Sequence, residues 1–181
     1  MSGETVFNNI TCSRFSGTCR LETINAQACE TRVTRAAMSH SRLIYHVVFA
    51  TKDRFPLISE RWESELYAYL AGIVKKSKGQ VIIINGMPDH VHLLIILEPC
   101  DLPAFMRELK ASSSRWAKQH QPKFAWQRRY GAFTVSESAV EKVREYIRDQ
   151  KEHHQKRTFE QEYVGILRNH NISFDEQYVW D

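Results

Sequence analysis

The stretch VIIINGMPDHVHLLIILE, Val81 to Glu98, limits what this chain can fold into more than any other part of it. Its two apolar runs, Val81 to Ile84 and Val91 to Leu97, are short and rich in β-branched residues and leucine, and the connection between them holds Gly86 and Pro88. Short apolar runs bounded by turn formers read as buried strands, here a tight antiparallel hairpin. Side chains alternate across a strand, so His90 and His92 share one face and Val91 takes the other. Two imidazoles side by side on a rigid strand make a platform for a divalent metal, because neutral imidazole is a common ligand. The plainer alternative is a pair of packed or solvent-facing histidines, and the hairpin alone leaves both open.

Leu43 to Ala50, LIYHVVFA, is dense in β-branched and aromatic residues and predicts another strand, on which His46 is structural or supports a ligand. The chain then turns over Thr51 to Pro56, bringing Lys52 and Arg54 to the strand end, where they can meet phosphates. Ser59 reads as the N-cap of a helix running to about Lys76, with Trp62, Leu66, Tyr69, Leu70 and Ile73 as its apolar stripe. Asp101 caps a second helix that turns Leu102, Phe105, Met106 and Leu109 inward and ends at Gln121-Pro122. A fourth strand is expected around Gly131 to Val135. Strand, helix, strand, strand, helix, strand is the order of an α+β, ferredoxin-like split β-α-β sandwich, an antiparallel sheet with helices on one face. The other face is then free for a ligand, with His90 and His92 on it.

A last long helix is expected from Ser136 or Ser138 through Lys156, with Ser138 and Glu141 as a capping box and Val140, Val143 and Ile147 as its apolar side. Tyr146 and Gln150 are four apart and so neighbours on one face, a stripe that His153 and Arg157 prolong. A solvated polar face is the alternative. Thr158 starts a further short helix, and Phe174, Tyr178 and Trp180 are expected to anchor the tail.

At 181 residues, with 43% hydrophobic and 25% charged, the chain fits one globular domain. Residues 1–37 are polar, without sustained period, and hold three of the four cysteines (Cys12, Cys19, Cys29, Cys100), which fit no zinc spacing and read as reduced thiols. The expectation is a peripheral, partly disordered extension over 1–37 and a single domain over 38–181. No apolar run has the length of a membrane span, and the start lacks a secretory pattern, which places the protein in the cytoplasm. Between Leu102 and Tyr130 seven Lys or Arg face one acid, Glu108, interleaved with Trp116, Phe124, Trp126 and Tyr130. That suits a polyanion with unpaired bases to stack, and equally a solvated helix face over a core stripe.

Four stretches together carry a resemblance: YHVVFATKDRFPLI at 45–58, GMPDHVHLLI at 86–95, FAWQRRYGAFTVSES at 124–138 and VREYIRDQKEHHQKRTFEQE at 143–162. In this order, over nearly the whole of Ser41 to Trp180, the sequence resembles the single-tyrosine HUH transposases of the IS200/IS605 type. The resemblance implies that His90 and His92 are two ligands of a divalent ion, Mg2+ or Mn2+, with Gln150 as the third, and that Tyr146, on the C-terminal helix, is the catalytic nucleophile. It further implies cleavage and rejoining of single-stranded DNA at hairpin-bearing ends through a 5′-phosphotyrosine link, with no nucleotide cofactor. It implies a homodimer, as in the insertion-sequence members of the family, where the tyrosine helix of one subunit completes the site of the other, and leaves open which subunit's site Tyr146 serves here. Charge and position add Lys52, Arg54, Lys110, Arg115 and Arg128 as DNA contacts, with Trp126 as a stacking group. Two readings stay beside it: a non-catalytic single-stranded nucleic-acid-binding module on the same scaffold, and a metal hydrolase using His90, His92, His153 and His154.

Overall fold

The computed structural model describes residues 40–175. The proposed extension over 1–37 and the tail anchors Tyr178 and Trp180 lie outside them. Four strands, β1 (Leu43–Ala50), β2 (Gln80–Met87), β3 (His90–Leu97) and β4 (Gly131–Thr134), form one antiparallel sheet in the order β2-β3-β1-β4. With α1 (Glu63–Lys76) and α2 (Leu102–Ala117) as the crossovers, this is the expected ferredoxin-like α+β arrangement. The hairpin is tighter than its sequence suggests: β2 runs on through Asn85 and Gly86, and Pro88 and Asp89 alone make the turn. Gly86 is required there, because a Cβ would collide with the His90 carbonyl oxygen.

One face of the sheet is an apolar core. Val47 and Phe49 of β1 and Val91, Leu93, Ile95 and Leu97 of β3 pack on Leu66, Leu70 and Val74 of α1 and on Met106 and Leu109 of α2. Each such aliphatic side chain removed from water contributes about 1.5–3 kcal/mol. Two helix starts differ in how they match the sequence. Asp101 caps α2 as expected, accepting from the Ala104 amide at 3.3 Å. Ser59 instead closes a turn whose carbonyl takes the Trp62 and Glu63 amides, and α1 begins at Glu63.

The other face is not free. Three further helices, α3 (Val140–Arg148), α4 (Gln150–His153) and α5 (Phe159–Asn169), cover it. Ile147 sits with Ile44 and Leu94, while Phe159, Tyr163 and Leu167 sit with Val48, Ala50 and Phe133. The physical reason lies in β1 and β3: both are central strands with apolar residues on both faces, so leaving either face bare would expose Ile44, Val48 and Leu94. The long C-terminal helix is also broken. Ser138 Oγ pairs with Ser136 Oγ in a short 3-10 turn instead of building a capping box, and Asp149 interrupts the helix between α3 and α4. Thr158 does cap α5, reciprocally with Gln161. Phe174 packs back on the α5 cluster as expected. No helix among the described residues is long and apolar enough to cross a membrane.

Candidate active site

His90 and His92 lie on the β3 face turned toward α3–α5, opposite Ala50 and Val48 of β1, and both are fully buried. Their Nδ1 atoms are occupied. His90 Nδ1 donates to Asp89 Oδ1 at 2.8 Å, which fixes the tautomer and leaves Nε2 with a free lone pair. Burial pushes the Asp89 carboxyl up, but the hydrogen bond from His90 outweighs it and holds the group below its usual range. His92 Nδ1 lies 3.0 Å from His46 Nε2, with the two rings stacked at 5.2 Å. Burial, then the neighbouring His92, pushes His46 down to about 3, so it stays neutral. Burial likewise lowers His92, against the opposing pull of Glu162. Two neutral imidazoles share one proton in that bond, and with His92 as donor its Nε2 too is free.

Tyr146 comes to the histidines because α3 is pinned at its end. Asn85 of β2, level with His92 in the sheet, donates its Nδ2 to the carbonyls of Ile147 and Arg148, both at 2.9 Å. Those are helix-end carbonyls without intrahelical partners, so Asn85 serves as a cap reaching in from the sheet. Past the Asp149 break, Gln150 is fully buried. The Tyr146 hydroxyl donates to Glu162 Oε1, and Gln150 Nε2 donates to the same oxygen at 2.9 Å. The other oxygen, Oε2, accepts from His154 Nε2 at 2.9 Å and stands 3.5 Å from His92 Nε2 and 3.6 Å from His90 Nε2.

Glu162 is thus the centre of the site. Burial alone would raise its pKa, but the hydrogen bond from His154, the neighbouring His92 ring and the hydrogen bond from Tyr146 hold the carboxyl far below the usual range. Burial opposes charge on His154, and its bond to Glu162 reverses the balance, so its pKa is raised. Tyr146 goes the other way: burial, then the Glu162 charge, pushes the phenol well above its ordinary value and keeps it protonated. Three buried side-chain atoms among the described residues have no hydrogen-bond partner: His90 Nε2, His92 Nε2 and Gln150 Oε1. Buried lone pairs left unmatched cost about 1–3 kcal/mol each. All three are ligand atoms, on the residues expected to hold a divalent ion, so the donor set fits such an ion. Independently, His90, His154 and Glu162 bring donor atoms within 4.8 Å of one another. A cleft of about 940 Å³ is lined by His46, Tyr146, His154 and Glu162, with Lys142 and Arg157 adding positive charge.

The structure therefore brings Tyr146, Gln150, His90 and His92 together within one chain. Of the four-histidine set, His154 belongs to the cluster, whereas His153 is exposed with its ring 5.0 Å from that of Tyr146. The expected DNA contacts divide. Lys52, Arg115 and Arg128 are exposed. Arg54 pairs with Glu160 of α5 at 2.9 Å. Lys110 is turned inward, its Nζ donating to the carbonyls of Gln127, Arg128 and Arg129 at 2.6, 2.9 and 3.2 Å. Trp126 is a core residue, edge-on to Phe49 and Phe124, with Nε1 donating to Ser113 Oγ at 3.0 Å. Trp126 is only 9% exposed and offers no surface for a base, because packing on Phe49 and Phe124 takes its area and Ser113 takes its N–H.

Sequence reasoning missed Glu162, Asn85 and Asp89, and named His154 only within the four-histidine hydrolase reading. Glu162 did carry a signal: with Phe159, Tyr163 and Leu167 it completes the buried stripe of α5, where a carboxylate has no packing reason to be. Asn85 carried none, since its partners lie 62 and 63 residues away.

The sequence profile of the family described as "Transposase IS200 like" matches residues 39–150. The ISDra2 transposase TnpA of Deinococcus radiodurans is 30% identical over 118 residues, which is 60% of this chain and 84% of that protein. The crystal structure of a candidate transposase from Deinococcus radiodurans R1 superposes with a TM-score of 0.53 at 27% identity, covering 64% of this chain and 96% of that one. Most of the described fold, including His90, His92, Tyr146 and Gln150, falls inside the matched segment, and the chain belongs to the IS200-like transposase family.

Proposed function

We propose that this protein cleaves and rejoins single-stranded DNA at hairpin-bearing ends, with Tyr146 as nucleophile. The observation that carries the reading is the meeting of a buried-site tyrosine with three unpaired ligand atoms, His90 Nε2, His92 Nε2 and Gln150 Oε1. A binding module has no use for buried lone pairs left unmatched, whereas a metal-assisted phosphoryl transfer needs them.

His90, His92 and Gln150 would hold Mg2+ or Mn2+, which when bound polarises a phosphate oxygen and neutralises charge on the phosphorus centre. The chain's own groups do the rest. Glu162 Oε1 accepts the Tyr146 proton and so turns the lone pairs of Oη away from the carboxylate. In the attack, Oη forms a bond to phosphorus and gives up its proton, which the departing 3′ oxygen takes up as a hydroxyl. The bond from phosphorus to the 3′ oxygen breaks, and that oxygen leaves with the bonding pair. A 5′-phosphotyrosine conserves the energy of the phosphodiester, so rejoining reverses the same chemistry and needs no nucleotide cofactor. Asn85 keeps the α3 end, and with it Tyr146, in register with the histidines. Exposed Lys52, Arg115 and Arg128, with Lys142 and Arg157 at the cleft, supply cations for the DNA backbone.

The test is a denaturing gel of the protein incubated with Mg2+ or Mn2+ and labelled hairpin-bearing single strands from DNA flanking its gene. Wild type is expected to give a covalent protein–DNA band that disappears in Tyr146→Phe and in EDTA. Binding without any adduct, at either metal, would favour the binding module. The homodimer that the resemblance implies is tested separately by light scattering, where a mass of one chain would reject it.

A further inference from the structure

We infer that Glu162 is itself a ligand of the ion, so that this chain holds its metal through two imidazoles and a carboxylate: His90, His92 and Glu162. The inference rests on the metal reading above and changes the ligand set, leaving Gln150 Oε1 as a supplementary donor.

The geometry comes first. Glu162 Oε2 lies 3.5 and 3.6 Å from the Nε2 atoms of His92 and His90. These gaps are too long for hydrogen bonds, and neither Nε2 has another partner. Two donors each about 2.1 Å from one ion stand roughly 3–3.5 Å apart, so these separations are close to those of atoms flanking a common cation. Gln150, by contrast, spends its Nε2 on Glu162 Oε1, which makes it as much a support of the carboxylate as a ligand.

The supports are arranged for this role. Asp89 holds His90 by Nδ1 and His46 holds His92 by Nδ1, so both rings present Nε2 to the same carboxylate. His154 fixes Oε2 from the far side at 2.9 Å. Metal-binding histidines with their second nitrogen held, and a ligating carboxylate held by a further donor, are the usual outer arrangement of such a site.

Charge points the same way. Two imidazoles and a carboxamide form a neutral ligand set that would leave a divalent ion with two uncompensated charges in a buried place. Glu162 lowers that to one, and the single negative charge of a phosphodiester then neutralises the site. Two nitrogens and a carboxylate also favour Mn2+ over Mg2+, which prefers all-oxygen shells.

Calorimetric titration of Mn2+ into the full-length protein tests the assignment. Glu162→Gln, which keeps shape and removes charge, is expected to weaken Mn2+ binding at least about tenfold, while Tyr146→Phe changes it less than about threefold. In Mn2+-soaked crystals of the wild type, an anomalous peak is expected within bonding distance of Glu162, His90 and His92, which decides the matter even if the variant does not fold. Unchanged affinity in Glu162→Gln, or a peak bonded to Gln150 and both histidines but not to Glu162, overturns the inference and leaves the metal reading standing. If wild type binds no Mn2+, or His92→Ala binds it as well as wild type, the metal reading falls together with the inference.

Discussion

The two faces of the sheet are built from alternate residues of the same strands and have opposite characters. On β3, Val91, Leu93 and Ile95 face α1 and α2 in a seamless apolar core, whereas His90 and His92, one residue away on either side of Val91, face α3–α5 across a charged, incompletely bonded centre. The first face is close-packed and fully satisfied, which is what stability asks of a core. The second leaves three buried polar atoms unmatched and holds a buried carboxylate, at a cost that the first face offsets. Stability and chemistry are therefore separated by the two-residue period of a strand.

Adjacent substitutions in β3 put that separation to its hardest test. His92→Ala is expected to remove the covalent adduct and Mn2+ binding altogether while changing the stability of the metal-free fold by no more than about 1–3 kcal/mol, since it leaves His46 Nε2 unmatched but takes away the unmatched Nε2 of His92. Chemical denaturation and the adduct gel on the same preparation measure both. A cooperative unfolding loss of several kcal/mol in His92→Ala would show that the polar face is also structural and break the comparison.

Leu93→Ala, the next residue, should do the reverse. Its side chain is fully buried in the α1–α2 core, and truncation is expected to cost about 2–5 kcal/mol of folding stability. Below the melting transition, adduct formation per folded molecule should stay within a few-fold of wild type. A specific defect in adduct formation by folded Leu93→Ala would mean that strain crosses the sheet.

How far the sequence revealed this depends on the range of each contact. The strands were legible because β-branched runs and Gly86-Met87-Pro88 act locally, and His90, His92, Tyr146 and Gln150 emerged from periods of two and four and from the family's motifs. The covering of the second face was not legible. It requires the chain to break at Asp149, turn back before Thr158 and lay Phe159 and Glu162 over β1 and β3, and no local pattern encodes that return. Trp126 and Lys110 misled for a related reason: an aromatic and a cation in a basic segment look alike whether they face DNA or their own core, until Ser113 and the carbonyls of 127–129 are seen beside them.

The supports of the polar face sharpen the comparison at smaller scale. Asp89→Ala frees His90 Nδ1, and His46→Ala frees His92 Nδ1, without removing a ligand. Each is expected to weaken Mn2+ binding by about 10- to 100-fold, the usual effect of losing the group that orients a ligating histidine. Titration calorimetry reads it directly. If both variants bind as wild type, the histidines are oriented by sheet packing alone, and the polar face is more rigid than its hydrogen bonds suggest.

Lys110 gives the smallest effect and tests the apolar side for hidden function. Its Nζ donates to three backbone carbonyls and lies 5.9 Å from the ring centres of Phe49 and Tyr130, so Lys110→Met keeps the aliphatic chain and deletes the donors. Burial pushes the half-buried Lys110 ammonium down to about 8. Because folding depresses this pKa, the protonated form is disfavoured in the fold, and any stability that Lys110 withholds is recovered as pH rises from about 8 toward the unfolded value near 10.5. Replacement is expected to cost about 1–2 kcal/mol at neutral pH, as carbonyls of the 127–129 loop lose a donor and must turn to water. Affinity for single-stranded DNA should fall only slightly, and its salt dependence should keep the wild-type slope, because no phosphate contact is lost. A slope reduced by about one charge would mean that Nζ leaves the loop for a phosphate when DNA arrives, giving the α1–α2 side a part in binding beyond holding the fold together.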